Sequence, residues 1–192
     1  GNPAWRVEKR DIDNGSIAWI QNNTGVDPRN ETCWDIIVDN NAVYAALKNR
    51  DDTFKIRKWF KDGTFQWASP DLVKDHYEMT FFDSITIYAC SHTNYGYTKV
   101  NIKDGSVIET IPLEDSTDLN QCIVHSKTGT YLGGLRITGY YTNQLAAEWR
   151  LDKRNFDDSI AWQKFGDIGI GYTRNTLYSI YVFEQEIEKE VT

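Results

Sequence analysis

The sequence predicts an all-β fold, and three observations carry that prediction. Aromatic residues are abundant, with seven Trp, eleven Tyr and eight Phe against a single Met in 192 residues, and such side chains suit the pleated, half-buried surface of a strand. One hairpin-like pattern recurs along the chain, the signature of a repeat architecture. Asn-Gly and Asp-Gly pairs stand where that pattern must reverse direction, as expected where the backbone needs positive φ.

The first copy runs Trp5-Arg6-Val7-Glu8-Lys9-Arg10, turns at Asp13-Asn14-Gly15 and leaves as Ser16-Ile17-Ala18-Trp19. Near the other end, Trp149-Arg150-Leu151-Asp152-Lys153-Arg154 turns at Asp157-Asp158 into Ser159-Ile160-Ala161-Trp162. Between them, Phe54 to Trp59 turns at Lys61-Asp62-Gly63 into Phe65-Gln66-Trp67, and Tyr97 to Ile102 turns at Lys103-Asp104-Gly105 into Ser106-Val107-Ile108. The paired glycines predict two-residue type I′ turns. Basic residues alternate with Val, Leu or Ile, which predicts hairpins with one solvated and one buried face.

A second, more apolar kind of paired segment separates these hairpins: Asp35 to Leu47, Phe81 to Ser91, Cys122 to Leu135 and Ile168 to Phe183. Each has a polar turn, and each carries a tyrosine in its second strand, at Tyr44, Tyr88, Tyr131 and Tyr178. A near-continuous apolar run predicts strands covered on both faces. An apolar hairpin followed by an amphipathic one makes a four-stranded blade, apolar pair innermost. The expectation is therefore a single domain over residues 1–192, a small β-propeller of four four-stranded blades. The chain opens with an amphipathic hairpin and ends with an apolar one, so the ring is expected to close by pairing of the N- and C-terminal hairpins, which hides edge strands. Two chains sharing an eight-bladed ring, or an arc from a larger propeller, are the other arrangements. The start Gly1-Asn2-Pro3 lacks Met, which suits a tag remnant or a processed or excised part of a longer chain.

The segment Asp11-Ile12-Asp13-Asn14-Gly15-Ser16-Ile17-Ala18-Trp19 resembles the tryptophan-docking repeat of quinoprotein-type, PQQ-like β-propellers, in which Asp precedes Gly by four positions and Trp follows it by four. Gly63 and Trp67 keep half of the pattern, Gly105 is followed by Glu109, and the fourth copy keeps Trp162 without the glycine. The resemblance implies that these tryptophans pack between neighbouring blades. The family's quinone-using members are far longer and have adjacent cysteines, which this chain lacks, so no cofactor is expected.

Acidic residues exceed basic ones, 28 against 21, and no basic block occurs, which argues against nucleic-acid binding. No apolar run approaches the roughly 20 residues that span a bilayer as a helix. Cys33, Cys90 and Cys122 lie far apart, have no metal-ligand spacing and are expected as free thiols; no metal site is expected. Carboxylates such as Asp71, Glu78, Glu114, Asp115 and Asp118 read as a solvated surface, and His125 as a strand residue. His76 with Tyr77, and His92 with Tyr95, fall in expected connections, where functional residues concentrate. The connection from Arg136 to Glu148 carries Tyr140, Tyr141, Asn143 and Gln144; tyrosine adds apolar area and a hydrogen bond at low entropic cost. These eight residues are the binding candidates. The expected function is a non-enzymatic binding or assembly module, monomeric, presenting a loop-lined rim to a protein or glycan. The alternative is a small carboxylate- or histidine-dependent hydrolase or lyase on that rim. Three Asn-x-Ser/Thr triplets, at Asn14, Asn22 and Asn30, suit an extracellular or surface-exposed location.

Overall fold

The computed structural model describes residues 5–22, 32–48, 53–72, 76–91, 96–112, 119–141 and 144–170. Among them every regular element is a strand. The first hairpin pairs β1 (Arg6–Arg10) with β2 (Ile17–Asn22). A four-stranded sheet follows, ordered as in sequence: β3 (Thr32–Val38), β4 (Ala42–Lys48), β5 (Phe54–Phe60) and β6 (Phe65–Ala68). The next holds β7 (His76–Phe81), β8 (Thr86–Ser91), β9 (Gly96–Asn101) and β10 (Val107–Pro112). The third holds β11 (Leu119–Ser126), β12 (Gly129–Tyr141), β13 (Gln144–Arg154) and β14 (Ile160–Ile170). All pairings are antiparallel, so the alternation of apolar and amphipathic hairpins does build four-stranded meanders.

Burial follows the two sequence patterns. Residues Ala42 to Leu47 of β4 are all buried, as are Thr86 to Cys90 of β8. Both second strands are apolar because each is flanked in its sheet and sandwiched between sheets. The cores lie between successive sheets. Trp5 and Val7 of the first hairpin pack with Ala45, Leu47 and Trp59 of the first four-stranded sheet. Tyr44, Phe54, Ile56 and Trp67 of that sheet meet Met79, Ile87 and Val100 of the next. Tyr88, Cys90 and Tyr97 then meet Ile123 and Leu132 of the third.

The amphipathic hairpins depart from expectation at their turns. Positive φ occurs at Gly15, Gly63, Gly105 and Asp158, while the residue before each is not left-handed. A type I′ turn needs both central residues left-handed. The loops are instead longer, closed by bonds such as Phe60 N–H to the Thr64 carbonyl at 2.9 Å and Gly63 N–H to the Phe60 carbonyl at 2.9 Å. A last left-handed residue then enters a bulge, marked by register shifts at Lys9/Arg10 and Lys58/Trp59, the geometry that longer hairpin loops favour. The basic face is also less solvated than the alternation implies. Arg150 and Arg154 are buried, and Lys58 and Lys99 half-buried, because the neighbouring sheet covers that side.

The fourth apolar segment is only partly in view. Ile168 to Ile170 continue β14 rather than opening a new hairpin, and the rest of Ile168–Phe183 lies outside the described residues.

Candidate functional site

Antiparallel order separates two ends of the sheets. The turns at 39–41, 61–64, 82–85, 102–106, 127–128 and 155–159 gather at one end, held together by Lys61 N–H to the Asn41 carbonyl and Ile102 N–H to the Ile85 carbonyl. The strand ends joined by 23–31, 49–52, 92–95, 113–118 and 142–143 gather at the other. The connection end carries the expected binding residues.

Their local setting differs from the loop anticipated by sequence. Arg136 to Glu148 is no irregular connection: β12 and β13 stay paired through Gly139↔Ala146, Tyr140↔Leu145 and Tyr141↔Gln144. Among the described residues β11 pairs with β12 as far as Leu135, and the β12–β13 hairpin continues beyond that pair. Tyr140, Tyr141 and Gln144 stand at that tip, while Asn143 lies outside the described residues. The physical reason is the continuous run Leu135-Arg136-Ile137-Thr138, whose β-branched residues favour extension over turning. His76 and Tyr77 likewise open strand β7 rather than sitting in a connection, and His76 pairs with Ser91. His92 and Tyr95 lie outside the described residues, in the short link from Ser91 to Gly96. The two groups therefore fall on adjacent sheets at the same end.

Of one carboxylate pair the sequence singles out only Glu78, and as solvated surface; the structure half-buries it together with Asp35. Asp35 on β3 accepts from Met79 N–H at 2.7 Å, and Glu78 on β7 accepts from Ile123 N–H at 3.0 Å. Each spans from the first strand of one sheet to that of the next. Burial raises the Asp35 carboxyl above its ordinary range. Burial, with Asp35 adding repulsion against the backbone bond, pushes Glu78 up to about 7. Cys122 stands at the corresponding position of the third sheet, its thiol raised to about 12 by burial. The signal that would have revealed Asp35 is its repeat position, one residue before an apolar residue that pairs next to the conserved-by-repeat tyrosine. All three cysteines are free thiols. His125 bonds Thr130 Oγ1 through Nδ1 at 3.0 Å and packs 4.4 Å from the Phe82 ring, a structural setting. Among the described residues no group of three or more His, Cys, Asp or Glu could hold a metal ion, and no helix is long and apolar enough to cross a membrane.

The turn end is organised by a cross-strand row repeated in each sheet. Tyr44–Lys58–Trp67, Tyr88–Lys99–Glu109 and Tyr131–Lys153–Trp162 are directly paired neighbours, and each lysine ammonium sits 5.3–5.6 Å from its tyrosine ring centroid, within cation–π range. The rows grip the following turn. Trp19 Nε1–H donates to the Lys61 carbonyl at 2.9 Å, and Trp67 Nε1–H to the Ile102 carbonyl at 3.0 Å. Where Glu109 replaces the tryptophan, Lys99 and the Tyr97 hydroxyl both bond the Asp158 carboxylate. Asp158 holds the left-handed position that glycine holds in the other turns.

No protein-family model matches this chain, and no curated protein matches it.

Proposed function

We propose that the chain is a binding and assembly module of β-propeller type, whose connection end engages a protein or glycan. In this reading the three four-stranded sheets and the first hairpin belong to a ring of four blades, closed by pairing of the terminal hairpins. Support comes from the inter-sheet cores and from the indole contacts of Trp19 and Trp67, which suit the tryptophan-docking resemblance. The single observation that carries the binding role is the β12–β13 hairpin, which runs past β11 and sets Tyr140, Tyr141 and Gln144 at its tip. A paired ribbon presents such residues more rigidly than a free loop, which lowers the ordering cost of recognition. The test is a printed glycan array and a panel of immobilised proteins, probed with the intact chain and with Tyr140→Ser/Tyr141→Ser. A specific ligand whose binding weakens at least tenfold in the variant supports the reading; a ligand bound equally by both overturns it.

Glu78 favours one second reading, a small hydrolase. A carboxyl raised to about 7 is poised for general acid or base work near neutrality. Hydrolysis of model esters or glycosides that disappears in Glu78→Gln would support it. Unchanged turnover in that variant would exclude Glu78.

A further inference from the structure

Among the described residues, the inter-sheet joints leave one half unmatched at each end of the series. In the first hairpin and the first four-stranded sheet, an indole lies over the left-handed glycine of the next turn. A Cβ added at Gly63 would stand 2.9 Å from Trp19 Cγ, and one at Gly105 would stand 2.5 Å from Trp67 Cε3. Lysines reinforce both joints: Lys9 Nζ donates to the Lys61 carbonyl at 3.1 Å and Lys58 Nζ to the Ile102 carbonyl at 3.0 Å. The turn carrying Gly15 has the same left-handed residue, at φ 69, yet no described atom comes within 4 Å of a Cβ there. At the far end Trp162, paired with Lys153 as Trp67 is with Lys58, is 36% exposed against 9% for Trp67.

The innermost strands repeat the asymmetry. Met79 and Ile123, each receiving a preceding sheet, are 4% and 3% exposed, whereas the corresponding Ile36 is 44% exposed. Its N–H, with no preceding carboxylate among the described residues, bonds the adjacent Asp35 side chain at 2.7 Å. Among the described residues, the turn of the first hairpin and the last sheet's Trp162–Lys153 row thus each lack the counterpart that joins the units between them, and the two are complementary by that same chemistry.

We infer that Trp162 and Lys153 receive the Asp11–Ser16 turn of the same chain, the indole over Gly15 and the ammonium on a turn carbonyl, as the seam of the ring. This rests on the closed-ring reading and names the residues that make its last joint. The row supplies two donors and an aromatic face; the turn supplies backbone carbonyls and the one residue type that leaves room for the ring.

The intact chain labelled with 5-fluorotryptophan tests it, with Trp162→Phe and Trp19→Phe assigning two fluorine resonances. Gly63→Ala should move the Trp19 resonance and serves as the internal standard. Gly15→Ala should move the Trp162 resonance, with light scattering giving a monomer mass at every concentration. If Gly15→Ala fails to fold, Gly15→Asp replaces it, since Asp158 holds φ 65 in the corresponding turn. A Trp162 resonance that stays put while Trp19 responds overturns the seam. A shift accompanied by a doubled mass also overturns it, because a second copy then supplies the turn. Small-angle scattering of the unaltered chain separates the two readings: a closed-ring profile with an unmoved Trp162 sinks the seam alone, and a monomeric open-arc profile sinks the ring as well.

Discussion

At the residue scale, polar side chains do the joining between sheets, and their energetics can be measured singly. Glu78 is raised in the folded state to about 7 from an ordinary value of 4.5. The folded protein therefore binds this proton more tightly than the unfolded chain. The associated stability is fully present below about pH 4.5 and lost as pH rises through about 7. Replacing Glu78 by Gln, which can still accept from Ile123 N–H, should flatten that slope. The gain above pH 7 should be about 1–2 kcal/mol after allowance for solvent reaching the part-buried carboxyl; urea melts at pH 5 and pH 8 would show it, and parallel slopes for both proteins would refute it. Asp158 is the second case. It answers both Tyr97 and Lys99, so Asp158→Ala leaves the Tyr97 hydroxyl without that acceptor and the half-buried Lys99 ammonium with Glu109, at 3.1 Å, in its place. A loss of about 1–3 kcal/mol is expected, with a smaller loss for Asp158→Asn, both read from the denaturation midpoint.

At the element scale, the amphipathic hairpins act as connectors through the pairing of one strand's indole with another hairpin's turn. Trp67 is buried and its Nε1–H is satisfied by Ile102. Trp67→Ala should cost about 3–5 kcal/mol. Gly105→Ala forces a methyl against the same indole and a strained φ, at about 1–3 kcal/mol. Because both changes break one contact, their double variant should cost clearly less than the two together; simple additivity in thermal melts would show that the joint does not exist. The β12–β13 tip should behave in the opposite way. Among the described residues its strands pair beyond Leu135 with no partner from β11, so Tyr140→Ser/Tyr141→Ser should leave the melting temperature nearly unchanged. Strong destabilisation would place both rings in packing rather than recognition.

At the scale of the whole molecule, stability is distributed over layers between sheets, each resting on the one before. The first hairpin covers Val43, Ala45, Leu47 and Trp59 with Trp5 and Val7. Removing residues 1–19 should therefore uncover an apolar layer on the first four-stranded sheet and lead to aggregation, seen as loss of the monomer peak in gel filtration. A truncated chain that stays monomeric with an unchanged melting temperature would show that this layer contributes nothing.

What the sequence determined by itself is local. The period-two alternation, the apolar runs and the left-handed glycines fixed the strands, their pairing order and the grouping into four-stranded sheets, because each depends on residues close in the chain. The turn class escaped it: Asn-Gly and Asp-Gly fit several hairpin loops, and only the positions of Gly15, Gly63 and Gly105 relative to the flanking hydrogen bonds decided among them. The length of β12 and β13 escaped it too, since a run such as Arg136 to Tyr141 extends only because a partner strand satisfies its backbone. Tertiary structure alone decided which polar groups matter. Asp35 and Glu78 read as two acids among 28 until the stacking of β3, β7 and β11 set each carboxylate against the next strand's N–H. Lys99 and Asp158 are far apart in sequence, and nothing in either neighbourhood names the other. Pairings of that kind arise from the packing of one sheet on the next, a long-range event that leaves no periodic trace in the chain.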